Sequence, residues 1–180
     1  YKRQSQLNSA KSQLESSQKA LQDQQSSTAS ELAQTSKAVD AAVATQSAYN
    51  AQLAGLQASK LALETEKKAY TDAGIEAQYE QINESFASVR NMASGYGMDA
   101  SAYPADISDA LKSPKKLEAL TAFMKQIGQS DAAASLTTDN LKQLDQIVNT
   151  RLPQIDTELA NLAVEIQAAQ AIADQVNEQV

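Results

Sequence analysis

The last forty residues, 141–180, constrain the fold most, because they carry one nearly unbroken heptad pattern. Two apolar columns repeat every seven residues and are offset from each other by four and three positions, which is the a/d pattern of a coiled coil. The positions between them are mainly Gln, Asn, Asp, Glu and Ala, so we predict a helix whose narrow apolar stripe packs on another helix. The columns are Val148, Ile155, Leu162, Ala169 and Val176, and Leu152, Leu159, Ile166, Ala173 and Val180.

A second seam begins after Gly74 and steps alternately by four and three residues. Because a short insert separates it from the C-terminal helix, we predict that the two segments pair as an antiparallel hairpin. Its residues are Ile75, Tyr79, Ile82, Phe86, Val89 and Ala93.

Residues 1–94 are predicted to form a long helical arm, because residues 4–70 contain no proline and one glycine. A break is predicted near residues 71–74, where Gly74 favours a kink. A second break is predicted near residues 22–28, either as a turn between helices or as a change of heptad register.

The leucines before and after residues 22–28 are the reason for that alternative. Leu7, Leu14 and Leu21 form one column, and the pattern is predicted to resume in a new phase at Leu32. Thr28 and Glu31 have the spacing of a capping box, which is typical of a helix start.

The insert, residues 95–138, is predicted to form a compact helical cap. Ser113 followed by Pro114 favours a helix start, and Gly128 favours a helix end. Thr137 or Thr138 is predicted to cap the final segment, residues 139–180, which packs back on the arm. The predicted fold is therefore all-α: an elongated antiparallel coiled coil or helical bundle, with a small cap inserted between its long helices.

Composition excludes several classes of function. The chain has no cysteine and no histidine, which removes thiolate and imidazole metal ligands, cysteine nucleophiles and the usual catalytic triads. We therefore predict no enzymatic activity, no cofactor and no metal site. A net charge of −7 argues against nucleic acid as a partner. No apolar run is long enough to span a membrane, so the predicted partners are protein helices, from a second copy or from another protein.

The aromatic and methionine side chains of the insert are the candidate partner-contact surface of the cap. They either form the small core of the insert or an exposed docking patch. Asp106 and Asp109 share one face of a short helix and are predicted to be acids favoured at a helix N-terminus, rather than a catalytic pair. Pro153 predicts a kink near residues 150–153. The candidate contact residues are Tyr96, Met98, Tyr103, Phe123 and Met124.

Two segments carry a resemblance to known proteins. Tyr103-Pro104-Ala105-Asp106-Ile107, followed by Leu136-Thr137-Thr138-Asp139-Asn140-Leu141, is similar to the lead into the last helix of needle-tip, filament and translocator proteins of type III secretion. The hairpin with a short helical insert also resembles the coiled-coil regulators of cell-wall hydrolases. Both resemblances imply an exported or cell-envelope protein that assembles through helices.

Two functions follow as hypotheses. The first is a non-enzymatic helical interaction or assembly module, with a location outside the cytoplasm favoured. The alternative is the extracytoplasmic helical-bundle sensor domain of a membrane-anchored receptor, which predicts that the two ends of the chain lie close together.

Overall fold

The computed structural model describes residues 1–179, with side chains through Glu178, and this part of the chain contains helices and no β-strand. The predicted all-α class is confirmed. Val180, the last predicted residue of the second column, lies outside the described residues. The helices are α1 Lys2–Asp72, α2 Ile75–Gly95, α3 Ile107–Lys112, α4 Pro114–Gln126, α5 Ser130–Ser135, α6 Thr138–Gln146 and α7 Leu152–Gln179.

Contacts between the helices divide the chain into two units. The terminal unit contains Tyr1–Gly55 and the chain from Gln167 onward, and the central unit contains Leu56–Ile166. None of the described helices is long and apolar enough to cross a membrane.

Helix α1 is continuous through residues 22–28, so the turn that was one form of the predicted break is absent there. The Thr28 hydroxyl donates to the Gln24 carbonyl, four residues back, as it does inside a helix. The predicted capping box is therefore wrong, because the Thr28 hydroxyl is bonded to the preceding helical turn and does not cap a helix start. With no proline and one glycine in the segment, nothing in the backbone stops the helix.

The chain does break where Gly74 predicts it. Gly74 adopts the left-handed conformation, with φ of 65°, and α2 begins at the next residue. Thr71 and Asp72, the polar residues that precede this start, do not cap it. Thr71 donates to the Lys67 carbonyl within α1, and Asp72 pairs with Lys68. The bend therefore rests on glycine geometry and not on a side-chain cap.

The insert is built of short helices around a core in the central unit. Helix α4 starts at Pro114, as predicted, and Gly128 follows its end with φ of 84°. Side chains of α2, α3, α4 and α6 meet in one cluster. The largest fully buried members of this core are Phe86, Ile107, Leu120 and Leu141.

The C-terminal segment starts as predicted and is then interrupted. Thr137 caps α6 by accepting the Asn140 backbone N–H. Residues Ile147–Arg151 form a π-helical turn, in which the Leu152 N–H donates to the Ile147 carbonyl five residues back. Pro153 has no N–H and its ring crowds the preceding turn, so a widened turn lets the helix continue past it. The sequence predicts a kink near residues 150–153, and the irregularity found there is this π-helical turn.

The hairpin predicted between α2 and the C-terminal segment forms over the first part of that segment only. In the central unit α2 packs on α3, α4, α6 and the π-helical turn. Helix α7 instead lies along α1, where the Lys67 ammonium is 2.6 Å from the Asp156 carboxylate. The predicted pairing is therefore present for α6 and the π-helical turn, where the Tyr79 hydroxyl donates to Asp145 at 3.3 Å, and α7 departs from it.

Candidate helix-binding surface

In the terminal unit, α1 and α7 contact each other through heptad positions. Four residues of α1 are half-buried, at steps of four, three and four: Ala42, Gln46, Tyr49 and Leu53. On α7 the small side chains of Ala169 and Ala173 are buried, and Val176 is half-buried. The Gln46 amide donates to the Asn177 side-chain oxygen at 2.6 Å, which marks the end of the described contact.

Residues 2–41 of α1, here called the N-terminal segment, are exposed along their whole length. Large apolar side chains nevertheless recur in it at heptad spacing and are 52–71% exposed. Single exposed apolar residues are ordinary, but an aligned row along one helix is the pattern of a coiled-coil seam. The row consists of Leu7, Leu14, Leu21, Leu32 and Val39.

This row is in register with the packed part of α1. Leu7, Leu14 and Leu21 precede Ala42 and Tyr49 by multiples of seven residues, and Leu32 and Val39 precede Gln46 in the same way. The predicted change of phase after Thr28 is therefore wrong. Because α1 is uninterrupted, both columns continue from the packed part into the N-terminal segment.

Charge is unevenly distributed along the N-terminal segment. Its first half, residues 2–20, has four basic residues and one acidic residue, Glu15. Its second half, residues 21–41, has three acidic residues and one basic residue, Lys37. The two halves of one exposed seam therefore have opposite net charge.

The other predicted seam residues lie in both units at different depths. Phe86, Val89, Leu152 and Ile155 are buried. These four do not form one seam, because Phe86 and Val89 belong to the core of the insert and the two α7 residues do not. The half-buried members are Ile75, Tyr79, Ile82, Val148, Leu159, Leu162, Ile166 and Val176.

The candidate contact surface of the cap is divided between core and surface. Tyr103, Phe123 and Met124 are buried, as expected if they form the small core of the insert. Tyr96 is 71% exposed, although its ring meets Phe123 edge-on with 6.2 Å between ring centroids. Met98 is 40% exposed and its sulfur accepts the Tyr103 hydroxyl at 3.1 Å. These five residues therefore do not form one exposed docking patch.

An ion pair joins α1 to the π-helical turn within the central unit. The Arg151 guanidinium donates to both oxygens of Glu66, at 2.7 and 2.6 Å, and lies 3.7 Å from Glu158. The hydrogen bond from Arg151 lowers the pKa of the Glu66 carboxyl. All three side chains are about one-third exposed, so the pair orients the helices more than it stabilises them.

Asp106 and Asp109 have the structural role that the sequence predicts. The Asp106 carboxylate caps α3 by accepting the Asp109 N–H at 2.7 Å. Asp109 accepts the Ala105 N–H at 3.0 Å and the Lys116 ammonium at 3.1 Å. The backbone hydrogen bond from Ala105, with the one from Lys116, lowers the pKa of the Asp109 carboxyl.

The Asp109 contacts predict a pH-dependent contribution to stability. Because its pKa is lower in the folded protein than in the unfolded chain, the contribution is present above the ordinary value of about 4 and disappears as the pH falls through the lowered pKa. We expect Asp109→Asn to be less stable than the natural chain at pH 7 and the difference to narrow below about pH 4. Urea unfolding over a pH series measures this. A stability difference that stays constant across the series would contradict the assignment.

Asn83 is a structural residue that the sequence patterns do not reveal. Its side-chain oxygen accepts the Ile107 backbone N–H at 2.8 Å and thereby attaches the start of α3 to α2. Ile107 is fully buried, so water cannot replace this acceptor. No local signal marks Asn83, because its partner is 24 residues away in the chain.

Replacing Asn83 by alanine is expected to cost about 1–3 kcal/mol of stability, because a buried N–H loses its acceptor. Asn91, exposed on the same helix, supplies the matched control, and Asn91→Ala is expected to change stability by less than about 0.5 kcal/mol. Hydrogen–deuterium exchange of the α3 amides measures the difference. Equal exchange in the two variants would show that the hydrogen bond is not needed.

No cluster of acidic residues in the described part of the chain could hold a metal ion. Compared with known proteins, the sequence matches no protein family, no curated protein and no solved structure. The exposed heptad seam of the N-terminal segment is therefore the feature on which a functional proposal is based.

Proposed function

We propose that this protein is a non-enzymatic helical assembly module whose N-terminal segment binds another α-helix. The observation that carries the proposal is the row of leucines on residues 2–41, which is exposed and continues the seam already packed in the terminal unit. Apolar area of this kind gains about 25 cal/mol per Å² when another helix covers it. The extracytoplasmic location predicted from the sequence is part of this proposal, and cell fractionation would test it.

The sensor-domain alternative has less support. It predicts that the two ends of the chain lie together at one base. Asn177 bonds to Gln46, and about 66 Å of helix separates Gln46 from Lys2 in the same unit. The seam of the N-terminal segment is exposed in the described residues, which suits a segment that binds a further helix.

A helix probe tests the proposal. The probe is a fluorescent peptide of residues 138–179, which has two continuous apolar columns and a net negative charge. We expect its anisotropy to rise when the full chain is added. Leu7→Lys with Leu14→Lys should weaken this binding by at least about tenfold, because the two substitutions place charges in the seam.

The control changes the opposite face of the same helical turns. Ser9→Lys with Ser16→Lys adds the same charge two residues further on, about 200° around the helix from the seam. This control should bind the probe as the natural chain does. The proposal fails if the natural chain neither binds the probe nor associates with itself.

A further inference from the structure

We propose that the helix bound by the N-terminal segment is the same segment of a second copy, packed antiparallel. In this pairing Leu7 of one copy faces the partner's Val39, and Leu14 faces the partner's Leu32. This inference rests on the proposed function and adds to it the identity of the partner and the direction of its helix.

The covered part of α1 limits where a second copy can pack. Residues 2–41 are exposed, and from Ala42 onward heptad positions of α1 are covered. Two antiparallel copies of this segment would cover each other over about 60 Å. Neither would then reach the part of α1 that α7 occupies in the same unit.

The two columns of the segment complement each other when one copy is reversed. One column contains Leu32 and Val39, and the other contains Leu7, Leu14 and Leu21. In an antiparallel coiled coil, side chains of one column pack against the other column of the partner. With Leu7 facing the partner's Val39, the two-fold symmetry of the pair gives four apolar layers.

The neighbouring registers either use the covered part of α1 or lose apolar layers. Sliding one copy by a heptad in one direction also gives four apolar layers, with Leu14 facing the partner's Val39 and Leu21 facing its Leu32. This register places Leu7 opposite the partner's Gln46, however, which already bonds to Asn177 in the terminal unit. Sliding it in the other direction places Leu14 opposite the partner's Gln25 and Leu21 opposite its Gln18, so that only the pairing of Leu7 with Leu32 stays apolar. The register with Leu7 facing the partner's Val39 places Leu21 opposite Gln25, but it keeps all four apolar layers within the exposed segment.

Charge distinguishes the antiparallel from the parallel arrangement. A parallel pair would place Lys11 opposite the partner's Lys11 within the seam, and would place the basic half of each segment against the other basic half. In the antiparallel pair Lys11 faces the partner's Thr35, and each basic half lies along the partner's acidic half. Complementary charge of this kind selects orientation.

Disulfide cross-linking tests the direction, because the natural chain contains no cysteine. Full chains with Leu7→Cys and with Val39→Cys are oxidised separately and as a mixture. We expect a covalent dimer in the mixture and little in Leu7→Cys alone, because two antiparallel copies hold those sulfurs about 48 Å apart. Rapid cross-linking of Leu7→Cys alone would overturn the antiparallel pairing in favour of a parallel one.

Light scattering of the natural chain supplies a second readout that does not depend on cysteine variants. We expect a mass that rises to twice the 19.2 kDa of one chain as the concentration is increased tenfold. The dimer should be lost in Leu14→Lys and retained in Ser16→Lys, and it should weaken as salt is added. A concentration-independent monomer that still binds the helix probe would overturn this inference and leave the proposed function standing. A monomer that does not bind the probe would overturn both.

Discussion

Replacing Leu120 by alanine is expected to lower the free energy of unfolding of the central unit by about 2–5 kcal/mol. Leu120 lies on α4 with no exposed surface, in the cluster that joins α2, α3, α4 and α6. Its removal would leave a cavity that four different helices border, and rigid helices close such a cavity poorly. Native-state hydrogen exchange of the α4 amides measures this free energy within the central unit.

Leu61 provides the matched control for this substitution. It lies on α1 in the same unit and is 64% exposed. Leu61→Ala is expected to change the free energy of unfolding by less than about 0.5 kcal/mol, because it removes no buried contact. A loss of similar size in both variants would mean that Leu61 is covered in solution, and a negligible loss in Leu120→Ala would contradict the core described here.

Local signals explain why much of the fold is predictable from the sequence. The start of α4 at Pro114, the glycine after its end and the Thr137 cap of α6 each depend on a few adjacent residues. The break at Gly74 is of the same kind, because only glycine adopts that backbone conformation without strain. Each of these features could be read from neighbouring residues alone.

Features that depend on residues far apart in the chain could not be predicted from the sequence. The bond from Ile107 to Asn83 and the pair between Arg151 and Glu66 join residues 24 and 85 positions apart. The hairpin between α2 and the last helix was predicted from periodicity. Periodicity identifies the apolar face of a helix but not the helix that packs on it. Within the predicted C-terminal helix, α6 and the π-helical turn do pack on α2, whereas α7 lies along α1.

The candidate surface illustrates the same limit. The leucines of the N-terminal segment were visible in the sequence, but the polar run at residues 22–28 suggested a break and a new phase. Only the continuity of α1 shows that both columns run straight through it. Polar residues at seam positions weaken a coiled coil without interrupting the helix, because Gln is a good helix former.

Replacing Ile155 by alanine is expected to cost about 2–5 kcal/mol, and it tests the seam of α7 separately from the core of the insert. Ile155 is fully buried but does not belong to the cluster around Leu120. It lies on the helix that pairs with α1 through Asp156 and Lys67. Amide exchange in α7 from Leu152 to Ile166 is therefore expected to accelerate, while α4 is affected less.

Val164, on the same helix and in the same unit, is the control for Ile155 because it is 67% exposed. Val164→Ala should change the free energy of unfolding by less than about 0.5 kcal/mol. If it costs as much as Ile155→Ala, another helix covers the outer face of α7 in solution, and the assembly surface extends beyond the N-terminal segment. If neither substitution has an effect, the apolar columns of α7 do not hold this helix on α1. That result would contradict the packing of α7 through its heptad positions.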